Sequence, residues 1–332
     1  MFVGSEAVRR GHLTPYQLRS RFRAVYPGVH LPVHATPSLR ARSVAAWLWS
    51  GRRGVVAGLA AAALHGSRWI DDDAPIELIW RNQHAPIGVV TRNQRVQPDE
   101  VTRVAGLPVT TLARTAFDLA RQLPTGEAVA RLDALMRATP FCVEDVSQLA
   151  KRYPGARGLR RLRTALPLVD AGAASPKETW LRLLLIDAGL PAPETQIPVN
   201  ENWRTVGVLD MGWERYKVAA EYDGDQHRSD RRQYARDQRR IRGLEALGWI
   251  VIRVIAEDKP GRRRATRARC THPPRMLRDI NGCDALRRVV ATGYMSRERR
   301  GNYEPAGTSR SEIELMQYRW SVGVGYPSPA NT

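Results

Sequence analysis

Acidic residues are what this 332-residue sequence lacks most: 33 Asp and Glu stand against 52 Lys and Arg, a formal net charge of +19. Such an excess repels itself in a compact fold, so a polyanion is the expected partner, with nucleic acid foremost. A coding bias toward arginine accounts for the same totals. Cysteine is scarce as well. Cys142, Cys270 and Cys283 are too few and too scattered for a disulfide framework or a zinc cage, and a reducing cytoplasm suits them. Long apolar runs are missing: the longest, Val55 to Leu64, is about half of a membrane span. Met1 to Gly11 has no apolar core behind a basic region, so no secretory signal is expected. These absences predict a cytoplasmic, nucleoid-associated protein with DNA and no membrane as partner.

Turn chemistry and hydrophobic period predict a multidomain chain of mixed α/β and α+β class. Residues 1–35 read as a winged helix-turn-helix. Ser5 can cap a short helix through Arg10, and Gly11 stops it. Thr14 then caps a second helix, with Pro15 at its first position and Gln17 completing a capping box. That helix carries Arg19, Arg21 and Arg23 and would face a DNA groove. A solvated basic helix beside an ordinary hairpin fits the same pattern. Residues 36–150 form a mixed α/β middle, with helices over 39–49, 55–64, 112–121 and 127–137 and a strand over 76–80. No triad, metal cluster or phosphate loop stands out there, and His65 and His84 are isolated. Residues 151–174 hold a basic helix, Arg157 to Leu166, and a linker. Residues 259–332 carry 15 Lys and Arg against 6 Asp and Glu, +9 of the +19, with no sustained period. A disordered basic tail is the physical reading, and a frame-shifted C-terminus is equally compatible.

Residues 175–258 carry the chemistry, in the order αβββαβ. A helix opens at Ser175; strands follow over 195–199, 205–213 and 217–222, then a helix near 231–247 and a strand over 249–254. Alternation puts Lys217, Ala219, Glu221 and Asp223 on one face of the third strand. Charged groups on an apolar strand are costly unless paired. A hairpin can bring Asp210, itself an acid in an apolar strand, beside Glu221. A divalent cation relieves the repulsion of such acids, and Mg²⁺ (or Mn²⁺) fits hard oxygen ligands and can bridge to phosphate. Glu178 lies along the buried stripe of the first helix and could join them, yet Ser175-x-x-Glu178 is also a capping box. His227, just past the strand, is near enough to shuttle a proton or touch a phosphate. Arg236 and Arg240 on the following helix could contact phosphates, and Asp237 is expected to pair with a buried arginine.

Over Ser175 to Ile255 the sequence resembles the PD-(D/E)XK nuclease superfamily, in the branch similar to the very-short-patch repair endonuclease. The likeness rests on Ser175-Pro-x-Glu178, Leu209-Asp210, Glu221-Tyr-Asp223-Gly224-x-x-His227, Arg236-Asp237-x-x-Arg240 and Gly248-Trp249-x-Val251-Ile252-Arg253-Val254. It implies a restriction-endonuclease-like fold, with Asp210 and Glu221 as metal-binding acids, Glu178 as the helix acid and His227 as the histidine after the acidic-glycine turn. Asp223 stands where many members keep lysine, as in relatives of this branch, which leaves the general base unassigned. Val208 stands where such relatives often have arginine. The first 120 residues resemble the AbiEi-like antitoxins of type IV toxin–antitoxin systems through Tyr26-Pro27-Gly28-Val29, Ala60 to Gly66, and Leu107-Pro108-Val109-Thr110-Thr111-x-x-Arg114-Thr115-x-x-Asp118-Leu119-Ala120. That likeness implies DNA binding, a defence role and a cognate toxin. A Mg²⁺-dependent endodeoxyribonuclease is the leading expectation. A non-catalytic antitoxin-type transcriptional regulator and an RNA-processing enzyme are the alternatives.

Overall fold

The structure is a computed structural model that describes residues 1–82, 84–223 and 231–255; His227 and the predicted tail, 259–332, lie outside the described residues. The chain divides into two compact units, Met1–Ala171 and a second beginning at Gly172.

The first unit opens with β1 (Phe2–Val3), α1 (Gly4–Arg9), α2 (Pro15–Arg21), β2 (Phe22–Tyr26) and β3 (Val29–Pro32), the strands forming an antiparallel sheet in the order β1-β3-β2. Thr14 starts α2 as its sequence predicts. Thr14 Oγ1 accepts from the Gln17 N–H at 3.1 Å, and Gln17 Oε1 accepts from the Thr14 N–H at 2.9 Å, satisfying two donors that a helix start otherwise leaves open. The first helix departs from expectation. Ser5 lies inside it, and Val3 holds the cap position without a side-chain bond. Arg23 is a second departure, because the chain turns extended at Phe22 and Arg23 falls on β2. Its guanidinium donates to the carbonyls of Val33 (3.3 Å) and Ala35 (2.8 Å), so it fastens the exit of the hairpin instead of extending the basic face of α2.

Next come α3 (Leu39–Trp49), β4 (Val55–Ala57), α4 (Gly58–Leu64), β5 (Ile76–Ile79), β6 (Val89–Arg92), β7 (Val101–Val104) and β8 (Leu107–Thr110). The strands form a mixed sheet in the order β6-β5-β4-β8-β7. Residues 55–64, expected as one helix, begin instead as a central strand. Val55 and Val56 are β-branched and pair with β5, Val56 pairs also with β8, and Gly58 turns the chain at φ +58°, where a Cβ would collide with the Glu77 carboxylate. Val56, Ile76, Leu78 and Val109 are fully buried in the core cluster that includes residues of α3 and α4. Each side chain of that size stabilises the fold by about 1.5–3 kcal/mol relative to exposure.

A second core, around Phe117, Leu132, Leu135 and Leu162, joins α5 (Leu112–Gln122), α6 (Thr125–Ala138), α7 (Val143–Arg152) and α8 (Leu159–Ala165). The basic stretch between the middle region and the second unit therefore supplies a packed helix, with Leu159 and Leu162 buried and its arginines turned outward.

The second unit runs α9 (Pro176–Asp187), β9 (Glu194–Glu201), β10 (Arg204–Trp213), β11 (Val218–Asp223), α10 (Arg231–Ala246) and β12 (Ile250–Ile255), the order expected from sequence. Its sheet order is β12-β11-β10-β9, with β11 and β12 parallel and the other pairs antiparallel. Leu181, Leu184 and Leu185 of α9 cluster with Met211, Trp213, Val218 and Ala220, whereas Leu244 of α10 clusters with Ile197, Val199, Leu209 and Ala219. Successive residues of β11 thus meet different helices, as a period of two requires. Two glycines bring α10 close to β10: a Cβ on Gly243 would lie 2.7 Å from Val206 Cγ1, and one on Gly207 2.9 Å from Arg240 Cγ. Among the described residues no helix is long and apolar enough to cross a membrane.

Candidate functional site

Asp210 and Glu221 sit on adjacent strands where the β10–β11 ladder ends. The last registered pair is Met211 with Ala220, and one step further the Tyr222 N–H is taken by Asp210 Oδ2 at 3.0 Å. Burial pushes the Asp210 carboxyl up to about 7, reinforced by the charges of Glu178 and Glu221 and opposed by the Tyr222 N–H and Arg240. Two of the acids expected from sequence, Glu178 and Glu221, therefore bear on the third, Asp210.

Each is also engaged by protein groups. Glu221 is buried, and Arg240 holds it with two parallel bonds, Nη1 to Oε1 at 2.7 Å and Nη2 to Oε2 at 2.8 Å. The forked geometry is the strong form of such a pair. Arg240 also reaches Asp237 Oδ1 at 3.2 Å, and Arg253 reaches Asp237 Oδ2 at 3.0 Å. Asp237 does pair with arginine as anticipated from sequence, but its partners are the partly buried Arg240 and the exposed Arg253 and not a buried arginine. Arg240, expected to meet phosphates, is drawn inward because its glycine-lined approach to β10 leaves the buried Glu221 as its nearest anion. Glu178 performs the capping role. Its N–H donates to Ser175 Oγ at 3.2 Å, while its carboxylate accepts from the Ala174 N–H at 2.8 Å and the Ser175 hydroxyl at 2.9 Å. Asp223 closes β11 by its backbone, and Arg236 is exposed on α10.

These donors do not fit a divalent cation as they are arranged. Both Glu221 oxygens face a guanidinium, both Glu178 oxygens serve the helix start, and among the described residues no group of three or more His, Cys, Asp or Glu side chains is placed to hold a metal.

The protonation of Asp210 has a measurable consequence. Its folded value lies above the ordinary aspartate value of 3.8, so its contribution to stability is fully present below about pH 4 and is lost as pH rises toward about 7. Asp210→Asn keeps an acceptor for the Tyr222 N–H and cannot ionise. The variant should melt above the wild type at pH 8, with the gap closing at pH 4. Equal gaps at both pH values would show that Asp210 does not titrate in this way.

Other charged residues form a site that sequence reasoning missed. Arg114 is 2% exposed and bridges Glu100, also 2% exposed, and Asp118, at 2.9 Å from Nε to Oδ2; the Glu100 contact is through Nη1 and Oε2. Arg121 joins Asp118 at 2.6 Å, and Arg152 and the Tyr153 hydroxyl join Glu100 at 2.9 and 2.7 Å. The Arg114 guanidinium also lies over the Phe117 and Tyr153 rings. The signal was available: Arg114, Asp118 and Arg121 share one helix face with apolar Phe117 beside them. His65, isolated in sequence, is tied to the Thr110 carbonyl at 2.8 Å.

Exposed basic residues occur on many elements, α8 among them, and two groups lie on features suited to a polyanion. On α2, which buries none of its residues, Arg19 and Arg21 are exposed. In the second unit Arg204, Arg236 and Arg239 line a groove of about 350 Å³ with Arg240, Glu201, Thr205 and Val206.

Residues 55–170 match the family model of the AbiEi antitoxin C-terminal domain. Two uncharacterized proteins of Mycobacterium tuberculosis, from strains CDC 1551 / Oshkosh and H37Rv, are each 34% identical over 177 residues, 52% of this chain and 65% of theirs. The match thus spans less than two thirds of the length of those relatives. No solved structure matches the chain. The comparisons give no support to a nuclease-type domain. Residues 55–170, the five-stranded sheet and the helices built on the Arg114 network, are similar to the AbiEi antitoxin C-terminal domain.

Proposed function

We propose that the chain is a DNA-binding regulator of antitoxin type, and that residues 1–35 act as a winged helix-turn-helix with α2 in the groove. The carrying observation is α2 itself, a capped helix with no buried residue and with Arg19 and Arg21 exposed. A helix with no fully buried residue, anchored mainly by the half-buried Leu18, gains little from packing, and its capping box then serves to present it. Two positions apart on a helix point about 200° apart, so Arg19 and Arg21 suit opposite walls of a major groove. The similarity of residues 55–170 to an antitoxin domain supports the regulatory class and brings a cognate toxin as the expected protein partner.

The test is binding of the full chain to duplex DNA from upstream of its own coding sequence, across a salt series. Arg19→Ala with Arg21→Ala should weaken binding at least tenfold. It should also flatten the log–log salt slope by roughly 2, about 0.9 for each phosphate that is no longer neutralised. An unchanged slope would remove α2 from the interface.

A second reading, phosphodiester hydrolysis by a restriction-endonuclease-like second unit, draws on the electrostatic convergence of Asp210, Glu178 and Glu221. It requires Arg240 to release Glu221 before Mg²⁺ or Mn²⁺ could bind there, and it predicts cleavage that Asp210→Ala abolishes. The internal neutralisation of Glu221 favours the regulatory reading.

A further inference from the structure

The β9–β10 hairpin ends in a residue that the rest of the fold does not use. Asn202 and Trp203 form its two-residue turn, both with positive φ (44° and 66°), the pair of values a tight type I′ turn needs. Asparagine is suited to such a position, whereas tryptophan, large and apolar, is not. Trp203 is 105% exposed, so its whole indole stands in solvent. A folded chain ordinarily buries so large an apolar surface, and leaving it exposed forfeits about 1.5–3 kcal/mol or more.

The neighbours of the tip indicate what would cover the ring. Arg204 follows Trp203 directly and lines the groove with Arg236 and Arg239 of α10. Arg236 and Arg239 are exposed on the outer side of α10, while Arg240 is turned inward onto Glu221 and Asp237 and sets the floor. Gly207 and Gly243 allow α10 to approach β10 closely enough to bring these arginines alongside the hairpin. Glu201 is the one acid among the groove's lining residues. An arginine groove beside an exposed, flat aromatic ring is the combination that holds a nucleic-acid strand by its phosphates and stacks one of its bases.

We propose that the β9–β10 hairpin and α10 form a second nucleic-acid contact, in which Arg204, Arg236 and Arg239 hold the phosphates of a single DNA strand and Trp203 stacks on an unpaired base. A base face fits the fully exposed ring, and a closed duplex keeps that face inside its stack, so the proposed ligand is single-stranded, frayed or distorted DNA. This contact rests on the DNA-binding reading and deepens it. It lies in the second unit, whereas duplex recognition by α2 lies in the first.

The experiment titrates the full chain into a fluorescein-labelled 12-nucleotide oligothymidylate and, separately, into the upstream duplex. Trp203→Ala should weaken oligothymidylate binding about 5- to 150-fold, the range that one base stack is worth. Trp203→Phe, which keeps a ring, should stay within about threefold of wild type. The triple variant Arg204→Ala, Arg236→Ala, Arg239→Ala should flatten the salt slope by roughly 2, at about 0.7 per phosphate on a single strand. Arg19→Ala with Arg21→Ala should leave oligothymidylate binding intact. If Trp203→Ala binds the oligonucleotide as wild type does, or if alanine and phenylalanine are equally damaging, the stacking role is overturned. Duplex binding that still depends on Arg19 and Arg21 would then leave the α2 reading standing. Duplex binding that is indifferent to Arg19→Ala with Arg21→Ala, while oligothymidylate binding still depends on Trp203, would sink the α2 reading and spare this one.

Discussion

Arg114→Met is expected to destabilise the first unit by about 3–5 kcal/mol, the cost of removing one partner from a buried ion pair. Stabilities of domains lie near 5–15 kcal/mol in total, so such a loss brings the unit close to unfolding at growth temperature. The size follows from what stays behind. Glu100 and Asp118 are each 2% exposed, and without the guanidinium they are left with Arg152, Tyr153 and Arg121 at their outer edges. Methionine fills much of the volume, which separates the charge effect from a cavity effect. The triple variant Arg114→Met, Glu100→Gln, Asp118→Asn should recover a substantial part of the loss, because neutral amides cost far less to bury than unpaired carboxylates. Calorimetry of the full chain, with hydrogen exchange at the α5 amides to identify the unit that melts, checks both values. A wild-type melt for Arg114→Met would mean that the network does not hold this core.

Arg240→Met should have an effect of similar size in the second unit. Glu221 is 5% exposed, and both of its oxygens accept from the one guanidinium. Removing the arginine also deletes the cation that opposes proton uptake by Asp210, so part of the stranded charge is expected to be quenched by protonation. The loss should therefore be larger at pH 8 than at pH 5, since Asp210 is protonated at the lower value and adds no second charge beside Glu221. Arg240→Lys should fall between the two, because an ammonium keeps the charge and cannot form the fork. Glu221→Gln combined with Arg240→Met should recover stability. If Arg240→Met instead raised stability and conferred Mg²⁺-dependent melting, Arg240 would be a plug in a metal site, and the hydrolase reading would gain.

The element order of the second unit is readable from sequence because its helices and strands are bounded by strong punctuation. Ser175-Pro176 opens α9, Gly189 and Pro191 follow it, and Gly248 follows α10, while β11 alternates an apolar face (Val218, Ala220, Tyr222) with the face that carries Glu221 and Asp223. The opposition of Asp210 and Glu221 follows from the hairpin. The contact that decides their chemistry does not. Arg240 reads as one more arginine in a basic helix, and only the close approach at Gly207 and Gly243 turns it inward. The first unit departs from its sequence pattern where local propensity competes with pairing. Val55 to Leu64 looks helical by its alanines, yet the two valines are taken by the sheet and the chain turns at Gly58, where α4 begins. Arg23 belongs with α2 by its spacing, but the strand begins one residue earlier, at Phe22. Trp203 carries no signal in the sequence, since its exposure arises from the turn and not from any pattern along the chain.

The most direct test of the regulatory account is a single binding and topology assay on a supercoiled plasmid carrying the upstream DNA, run with EDTA and with Mg²⁺ or Mn²⁺. Wild type should retard the plasmid equally in both and leave it supercoiled, and the Arg19→Ala, Arg21→Ala variant should lose most of that retardation. Metal-dependent nicking that disappears in Asp210→Ala, or retardation that does not depend on Arg19 and Arg21, would contradict it.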